Sequence, residues 1–221
     1  SPTGVGCIIV DASGQNRIIV VSGANGQVDR TDVDQAMPLL RQTRVVLLQF
    51  EIPMPVVEYA ASMAREAGAL VFLNPAPSAP ASPRLLQLAD FVVPNEVEAK
   101  SLTGLTITDF ESSMTCVARL RELGARKAII TLGDRGCVCA SDDGVWHEPA
   151  LLVHAVDTTA AGDAFIGGLA AATVRGKPMA DAVRYATCAA GLAVTRPGAQ
   201  ASLPSESEVR QAFREAYGQE P

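Results

Sequence analysis

The sequence has 221 residues, of which 48% are hydrophobic and 19% are charged, as is typical of a folded globular protein. Its net charge of −6 argues against a nucleic acid held through a broad phosphate-contacting surface. No apolar run approaches the ~18 residues of a membrane-spanning helix, and the first ten residues do not resemble a signal peptide. We therefore expect one cytoplasmic domain with no membrane or nucleic-acid partner.

The cysteine and histidine content excludes two further classes of protein. The five cysteines are odd in number and have no framework spacing, which indicates free thiols in a reducing compartment. There are only two histidines, and neither CxxC nor HExxH occurs. The sequence therefore predicts neither a disulfide scaffold nor a zinc site.

The first half of the chain begins with a predicted hairpin and continues with alternating strands and helices. Segments 5–10 and 16–23 are β-rich and are joined by the turn residues DASG. A turn-rich stretch leads to a predicted helix at 32–42. Apolar strands are predicted at 44–50, 69–74 and 89–95, and helices at 55–68 and 96–104. The proline-rich segment 75–83 is too short for a domain linker and is interpreted as a loop.

The second half continues this alternation and ends in helices. A helix at 108–124 opens with a predicted capping box formed by Thr108 and Glu111. Strands are predicted at 126–133 and 136–141, followed by a turn at DDGVW. Three helices close the chain at about 161–175, 179–195 and 205–217.

These elements predict an α/β fold, a doubly wound and mostly parallel sheet with helices on both faces. Such sheets bind ligands beyond the carboxyl ends of their strands. Five polar loops are expected at that edge: QFE (49–51), LNPAP (73–77), VPNEVE (93–98), TLGDRG (131–136) and DTTAAGDAF (157–165).

The stretch DTTAAGDAF has two interpretations. Neither of the phosphate motifs GxxxxGK[ST] and GxGxxG is present, so phosphate would need another cradle. The amides of Ala161, Gly162 and Asp163 can converge on an anion at a helix N-terminus, with Asp163 as a base beside it. Alternatively, Asp163 is an ordinary first-turn acid that interacts with the helix dipole. Taken alone, the stretch favours this second interpretation.

The other polar loops are equally ambiguous when each is taken alone. Asn95 and Glu98 have the spacing of a capping-box variant. Glu51 follows an apolar strand and could be a solvated loop acid. TLGDRG could be a plain turn between two strands.

Taken together, however, the motifs resemble the PfkB or ribokinase family of carbohydrate kinases. DTTAAGDAF is similar to the family's C-terminal signature. GAN (23–25), LNPAP (73–77), PNEVEAKSLTG (94–104), ITLGDRG (130–136) and AVTRPGAQASLP (193–204) also resemble the family, in its order. The resemblance covers nearly the whole chain.

The resemblance implies a role for each candidate residue. Asp163 matches the base that deprotonates the sugar hydroxyl, and Ala160, Ala161 and Gly162 match the anion hole. Asn95 and Glu98 match residues that organise a Mg²⁺–phosphate network, and Glu51 matches a sugar-contacting acid. The implied nucleotide-binding residues are Asn95, Thr131, Leu132, Gly133, Asp134, Arg135, Gly136 and Gly162, with Thr187 packing on adenine. The loops implied around an activating K⁺ contain Asp157, Thr159, Ala193, Arg196, Gly198 and Ser202.

The implied activity is ATP-dependent conversion of D-ribose to D-ribose 5-phosphate. Another sugar kinase of the family, acting on fructose, a nucleoside or a sugar phosphate, is the first alternative. An inert nucleotide-binding module is the second. Residues 1–24 resemble half of a β lid, through which family members often form homodimers, and 25–221 resemble the catalytic domain. The family's N-terminal sugar-binding strand has no match, so we expect a fragment or truncated product with weak or no sugar kinase activity alone.

Overall fold

The computed structural model describes residues 1–10 and 16–220, and the predicted DASG turn lies outside them. The strands are β1 (Val5–Val10), β2 (Asn16–Val21), β3 (Val45–Leu48), β4 (Leu70–Leu73), β5 (Phe91–Val92), β6 (Ala128–Thr131), β7 (Cys137–Ser141) and β8 (Gly144–Glu148). The helices are α1 (Arg30–Leu40), α2 (Met54–Glu66), α3 (Pro83–Leu88), α4 (Glu96–Thr103), α5 (Phe110–Glu122), α6 (Ala161–Val174), α7 (Met179–Ala193) and α8 (Glu206–Tyr217).

A six-stranded sheet in the order β3-β4-β5-β6-β7-β8 forms the centre of the molecule. Strands β3 to β6 are parallel, whereas β7 and β8 are antiparallel. Helices α2 to α5 pack on one face of the sheet, and α6 to α8 cover the other. The predicted fold class is therefore confirmed. Strands β1 and β2 form a separate antiparallel pair, and its role as a lid domain stays a prediction.

Two helix starts differ from the sequence-based expectation because an aspartate provides the cap. Helix α1 begins at Arg30 rather than at residue 32, since the Asp29 carboxylate accepts hydrogen bonds from the amides of Thr31 and Asp32. The predicted capping box of Thr108 and Glu111 is wrong. Asp109 is the N-cap of α5 and accepts a 2.8 Å hydrogen bond from the Ser112 amide. A carboxylate next to the helix end is a stronger acceptor there than the Thr108 hydroxyl.

Two further elements were not predicted from the sequence. Helix α3 begins within the segment interpreted as a loop, where the Ser82 hydroxyl accepts a 3.0 Å hydrogen bond from the Leu85 amide. Strand β8 begins within the predicted DDGVW turn, so the turn itself contains only residues 142–143. Most of β8 is solvent-accessible, so its side chains do not give the apolar alternation that reveals a strand.

Small residues allow helices α6 and α7 to pack closely. A Cβ atom added to Gly168 of α6 would lie 3.0 Å from the Ala189 Cβ and 3.1 Å from the Ala186 Cα on α7. Leu169 and Val183 are buried beside this contact and pack in the same core as Phe72 and Phe91 of the sheet. The contact therefore fixes the position of α6 relative to α7.

No helix within residues 1–10 and 16–220 has the length and apolarity needed to cross a membrane.

We expect Gly168→Val to destabilise the fold, because its added methyl groups must separate α6 from α7. The expected loss is about 1–3 kcal/mol of unfolding free energy, measured by urea denaturation. Gly167→Val is the matched control, since a Cβ atom at Gly167 meets nothing within 4 Å. Equal stability of the two variants would contradict the proposed close contact.

Candidate nucleotide and phosphate site

The loops after β3 and β4 meet the start of α6 at the carboxyl edge of the sheet. The Gln49 side-chain amide donates a 3.4 Å hydrogen bond to the Asp163 carboxylate. The Phe50 amide donates to the Ala76 carbonyl at 2.7 Å, which joins the QFE and LNPAP loops. Asp163 therefore faces the loops of the neighbouring strands rather than only its own helix.

Asn95 and Glu98 form the predicted capping box and also lie at this edge. The Asn95 backbone amide and side-chain amide donate to the two Glu98 carboxylate oxygens at 2.8 and 2.9 Å, and the Glu98 backbone amide donates to the Asn95 side-chain oxygen Oδ1 at 2.9 Å. Burial raises the pKa of the Glu98 carboxyl, although the Asn95 hydrogen bonds oppose that effect. The Thr131 amide donates to the Pro94 carbonyl at 3.0 Å, so the next loop lies alongside.

The N-terminus of α6 has no side-chain cap. Its N-cap residue is Ala160, and Asp163 lies in the first turn, as predicted. The Ala161 amide donates to the Thr158 carbonyl at 3.2 Å. The amides of Gly162 and Asp163 have no acceptor in the described part of the chain. A Cβ atom on Gly162 would meet nothing within 4 Å, so an anion has room to approach these two amides.

A cavity of about 310 Å³ opens beside this helix end. It brings together the loop after β6, the segment after β8, the start of α6 and one face of α7. The predicted residues that line it are Thr131, Gly133, Asp134, Gly136, Ala161, Gly162 and Thr187. Its size falls in the range of small-molecule sites.

Thr187 is the polar group of α7 in this cavity. Its side chain is buried, and its hydroxyl has no hydrogen-bond partner within residues 1–10 and 16–220. By contrast, the Thr173 hydroxyl of α6 donates to the Leu169 carbonyl four residues earlier, at 2.7 Å. Because buried hydroxyls are normally paired, Thr187 fits a cavity that receives a ligand.

Five predicted nucleotide or sugar residues do not line the cavity: Asn95 and Asp163, described above, and Leu132, Arg135 and Glu51. Leu132 is buried in the core on the α2–α5 face. The Arg135 guanidinium pairs with Glu96 at the surface. Glu51 is exposed in the bend after β3, two residues beyond Gln49.

The structure also identifies site residues that the sequence did not single out. Residues 150–153 and 155 form a wall of the cavity, where their apolar side chains carry no recognisable motif. Asn74, within the quoted LNPAP stretch, has a buried side-chain oxygen without a partner among the described residues. Its side-chain nitrogen donates to the Val93 carbonyl at 3.5 Å. A polar residue directly after an apolar strand is the signal that could have indicated both Gln49 and Asn74.

The loops predicted around K⁺ come together through Asp157. One carboxylate oxygen accepts from the Thr159 amide at 2.9 Å, and the other accepts from the Gly198 amide at 2.8 Å. Hydrogen bonds from Thr159 and Gly198 lower the pKa of the Asp157 carboxyl. The Ser202 hydroxyl donates to the Ala199 carbonyl, and Arg196 pairs with Glu208. Ala193 is buried at the end of α7, next to these loops.

A larger surface groove of about 700 Å³ lies elsewhere, between α1, α2 and the segment leading into α3. It is lined by Arg30, Glu58, Tyr59 and Arg84, among others, and contains none of the predicted site residues. Its size alone therefore does not make it the functional site.

Comparison with known proteins shows the family of the chain. The model of the pfkB family of carbohydrate kinases matches residues 1–206. The chain belongs to this family. It is 37% identical over 206 residues to a ribokinase from Haemophilus influenzae, covering 93% of this chain and 67% of that protein. The family assignment makes the protein a phosphotransferase that acts on carbohydrates.

Solved structures of the family share its fold. A ribokinase from Thermotoga maritima is 37% identical and superposes with a TM-score of 0.85, covering 97% of this chain and 70% of that one. The Arabidopsis thaliana ribokinase, complexed with ribose and ATP, is 32% identical with a TM-score of 0.86, covering 96% and 70%. Each relative is therefore longer than this chain.

We expect Thr187→Val to leave the free energy of unfolding unchanged or higher, because the hydroxyl that is lost has no partner. The control Thr173→Val should lose about 1 kcal/mol, since its hydroxyl is hydrogen-bonded. Urea denaturation of both variants makes the measurement. A stability loss at Thr187 equal to that at Thr173 would show that the Thr187 hydroxyl has a partner within the protein.

Proposed function

We propose that the protein transfers the γ-phosphoryl group of ATP to the primary hydroxyl of D-ribose, giving D-ribose 5-phosphate and ADP. One observation carries this proposal: the cavity reaches Gly162 at the start of α6, where the amides of Gly162 and Asp163 have no acceptor among the described residues, and the Asp163 carboxylate is hydrogen-bonded to Gln49 in the loop after β3. A nucleotide in the cavity would thus have its phosphates on one side of Asp163 and the acceptor hydroxyl on the other.

Asp163 is proposed as the general base. Its carboxylate is exposed and is hydrogen-bonded only to Gln49 among the described residues, so it can accept a proton from an incoming hydroxyl. Gln49 would hold the carboxylate in place, and Glu51 would contact the sugar from the same loop. The amides of Gly162 and Asp163 would stabilise the negative charge on the transferred phosphoryl group.

The nucleotide is proposed to lie in the cavity with its adenine base against Thr187 and the apolar residues 150–153 and 155. Gly133 adopts a left-handed conformation with φ +63°, and a Cβ atom there would meet nothing within 4 Å. This open backbone allows the ribose or phosphates to approach the loop after β6. Asn95 would lie beside the phosphates, because it forms a parallel β-bridge with Thr131 at the start of that loop.

The oxygen groups at the carboxyl edge fit Mg²⁺. The Glu98 carboxylate and the unpaired Asn74 side-chain oxygen are the hard donors that this ion prefers. Magnesium would neutralise charge on the phosphates during transfer.

A K⁺ ion would suit the loops joined by Asp157. The Asp157 carboxylate and the Ser202 hydroxyl already make hydrogen bonds within those loops. Backbone carbonyls of the two segments would therefore supply most of the ligands for such a large cation.

Ribose is the proposed acceptor because the compared relatives are ribokinases, and one was solved with ribose and ATP. Fructose, a nucleoside or a sugar phosphate is the alternative acceptor within the family. A panel of these sugars with ADP release as the readout distinguishes them. The free thiols of all five cysteines suit a cytoplasmic location.

The Asp163→Asn variant tests the catalytic proposal in the protein expressed from its complete gene. We expect sugar-dependent ADP release to fall by about 10²–10⁴-fold, the usual contribution of a general base. The affinity for MgATP, measured by calorimetry, should change little because the amides of the helix end remain.

Glu111→Gln is the control, since Glu111 is also a first-turn acid but belongs to α5, away from the cavity. It should keep full turnover. Normal turnover in Asp163→Asn would contradict the assigned base and favour the helix-dipole interpretation.

A further inference from the structure

We propose that Glu148 is a positioning residue for the nucleotide cavity, and this inference rests on the function proposed above. Its carboxylate joins the wall of the cavity that follows β8 to the wall formed by α7. The residue itself does not line the cavity.

Glu148 is the last residue of β8 and is 6% exposed. The Tyr217 hydroxyl of α8 donates a 3.0 Å hydrogen bond to one carboxylate oxygen. The Arg184 Nε of α7 lies 3.4 Å from the other oxygen, an ion pair without a well-aligned hydrogen bond. The buried carboxylate at the end of β8 thus contacts both α7 and α8.

Its two partners are themselves held in place. The Arg184 guanidinium lies 5.3 Å from the centre of the Tyr217 ring, and its Nη1 donates to Asp181 at 3.2 Å. Burial, and then the neighbouring Glu148 charge, raise the pKa of the Tyr217 phenol. The hydroxyl therefore stays protonated and remains a donor to Glu148 near neutral pH.

Both ends of this interaction lead directly into the cavity. After Glu148 and Pro149 the chain enters the segment that forms one wall. On α7, Thr187 and Gly191 follow Arg184 by three and seven residues, so all three share one helix face. A displacement of Arg184 relative to β8 would therefore move both walls.

The walls touch each other with little space to spare. A Cβ atom on Gly191 would lie 2.8 Å from the Leu151 Cβ. A Cβ atom on Gly136, in the loop after β6, would lie 2.1 Å from the Glu148 carbonyl oxygen and 2.6 Å from the Ala150 nitrogen. The loop after β6, the segment after Glu148 and helix α7 are thus in close contact, so a shift of one of them would move the others.

Cohesion of the fold does not require this charge. Helices α6 and α7 pack through Gly168 and its alanine neighbours, and Phe213 of α8 is fully buried in the same apolar core. A buried ion pair is often no more stabilising than apolar packing. We therefore assign to the carboxylate the relative position of β8 and α7, whereas apolar packing holds the two elements together.

The Glu148→Gln variant tests the proposal, because glutamine keeps the size and an acceptor for Tyr217 but removes the charge facing Arg184. In the protein expressed from its complete gene, we expect the Kd for MgATP to rise roughly tenfold, the effect of losing one charged contact. The KM for ATP should rise in parallel, while the KM for the sugar stays within about twofold, well below that effect. A role in stability alone would not produce this difference between the two substrates.

Glu206→Gln is the matched control. Glu206 pairs with Arg175 at 2.8 Å but is half exposed at the start of α8, so its loss should leave both KM values unchanged. Tyr217→Phe provides a second test that retains the Arg184 pair and should raise the Kd for MgATP about threefold, as for one neutral hydrogen bond.

An unchanged Kd for MgATP in both Glu148→Gln and Tyr217→Phe, or an equal rise in both KM values, would overturn the role of Glu148. Failure of the wild-type protein to bind MgATP would instead contradict the proposed function. The two failures are therefore distinguishable.

Discussion

The close contact of α6 with α7 is the constraint on which the candidate site depends. Gly168 leaves no room for a side chain against Ala186 and Ala189, so the axis of α6 is fixed relative to α7. Ala161 and Gly162 at the start of α6 and Thr187 on α7 consequently line one cavity. The proposed phosphate site and the proposed adenine site would then lie on the same helix pair.

The parallel strands bring the remaining groups to that helix end. Because β3 to β6 run in one direction, Gln49, Asn74 and Asn95 follow strands at the same edge at which Thr131 ends β6. The interactions made by each are ordinary: Asn95 and Glu98 cap a helix, and Asp163 lies in a first turn. Their combined position beside an uncapped helix end gives the edge its suitability for phosphoryl transfer.

Part of this arrangement could be predicted from the sequence. The alternation of apolar strands and helices predicted the parallel sheet, and the resemblance to the kinase family implied a nucleotide site that contains Thr131, Gly162 and Thr187. Strand β8 and the wall at 150–155 were missed because one is mostly exposed and the other has no motif. Glu148 contacts Arg184, which lies 36 positions later in the chain, and Tyr217, which lies 69 positions later. No local pattern reports a contact of that kind.

A crystal structure with Mg²⁺ and a non-hydrolysable ATP analogue tests the central claim most directly. We expect the adenine of the analogue to lie against Thr187 and residues 150–155. Its phosphate oxygens should lie about 3 Å from the backbone amides of Gly162 and Asp163. The γ-phosphate of the analogue should face Gln49 and Asp163, where the acceptor hydroxyl would bind. A nucleotide bound in the groove beside Arg30 and Arg84, or phosphates away from the start of α6, would contradict the account.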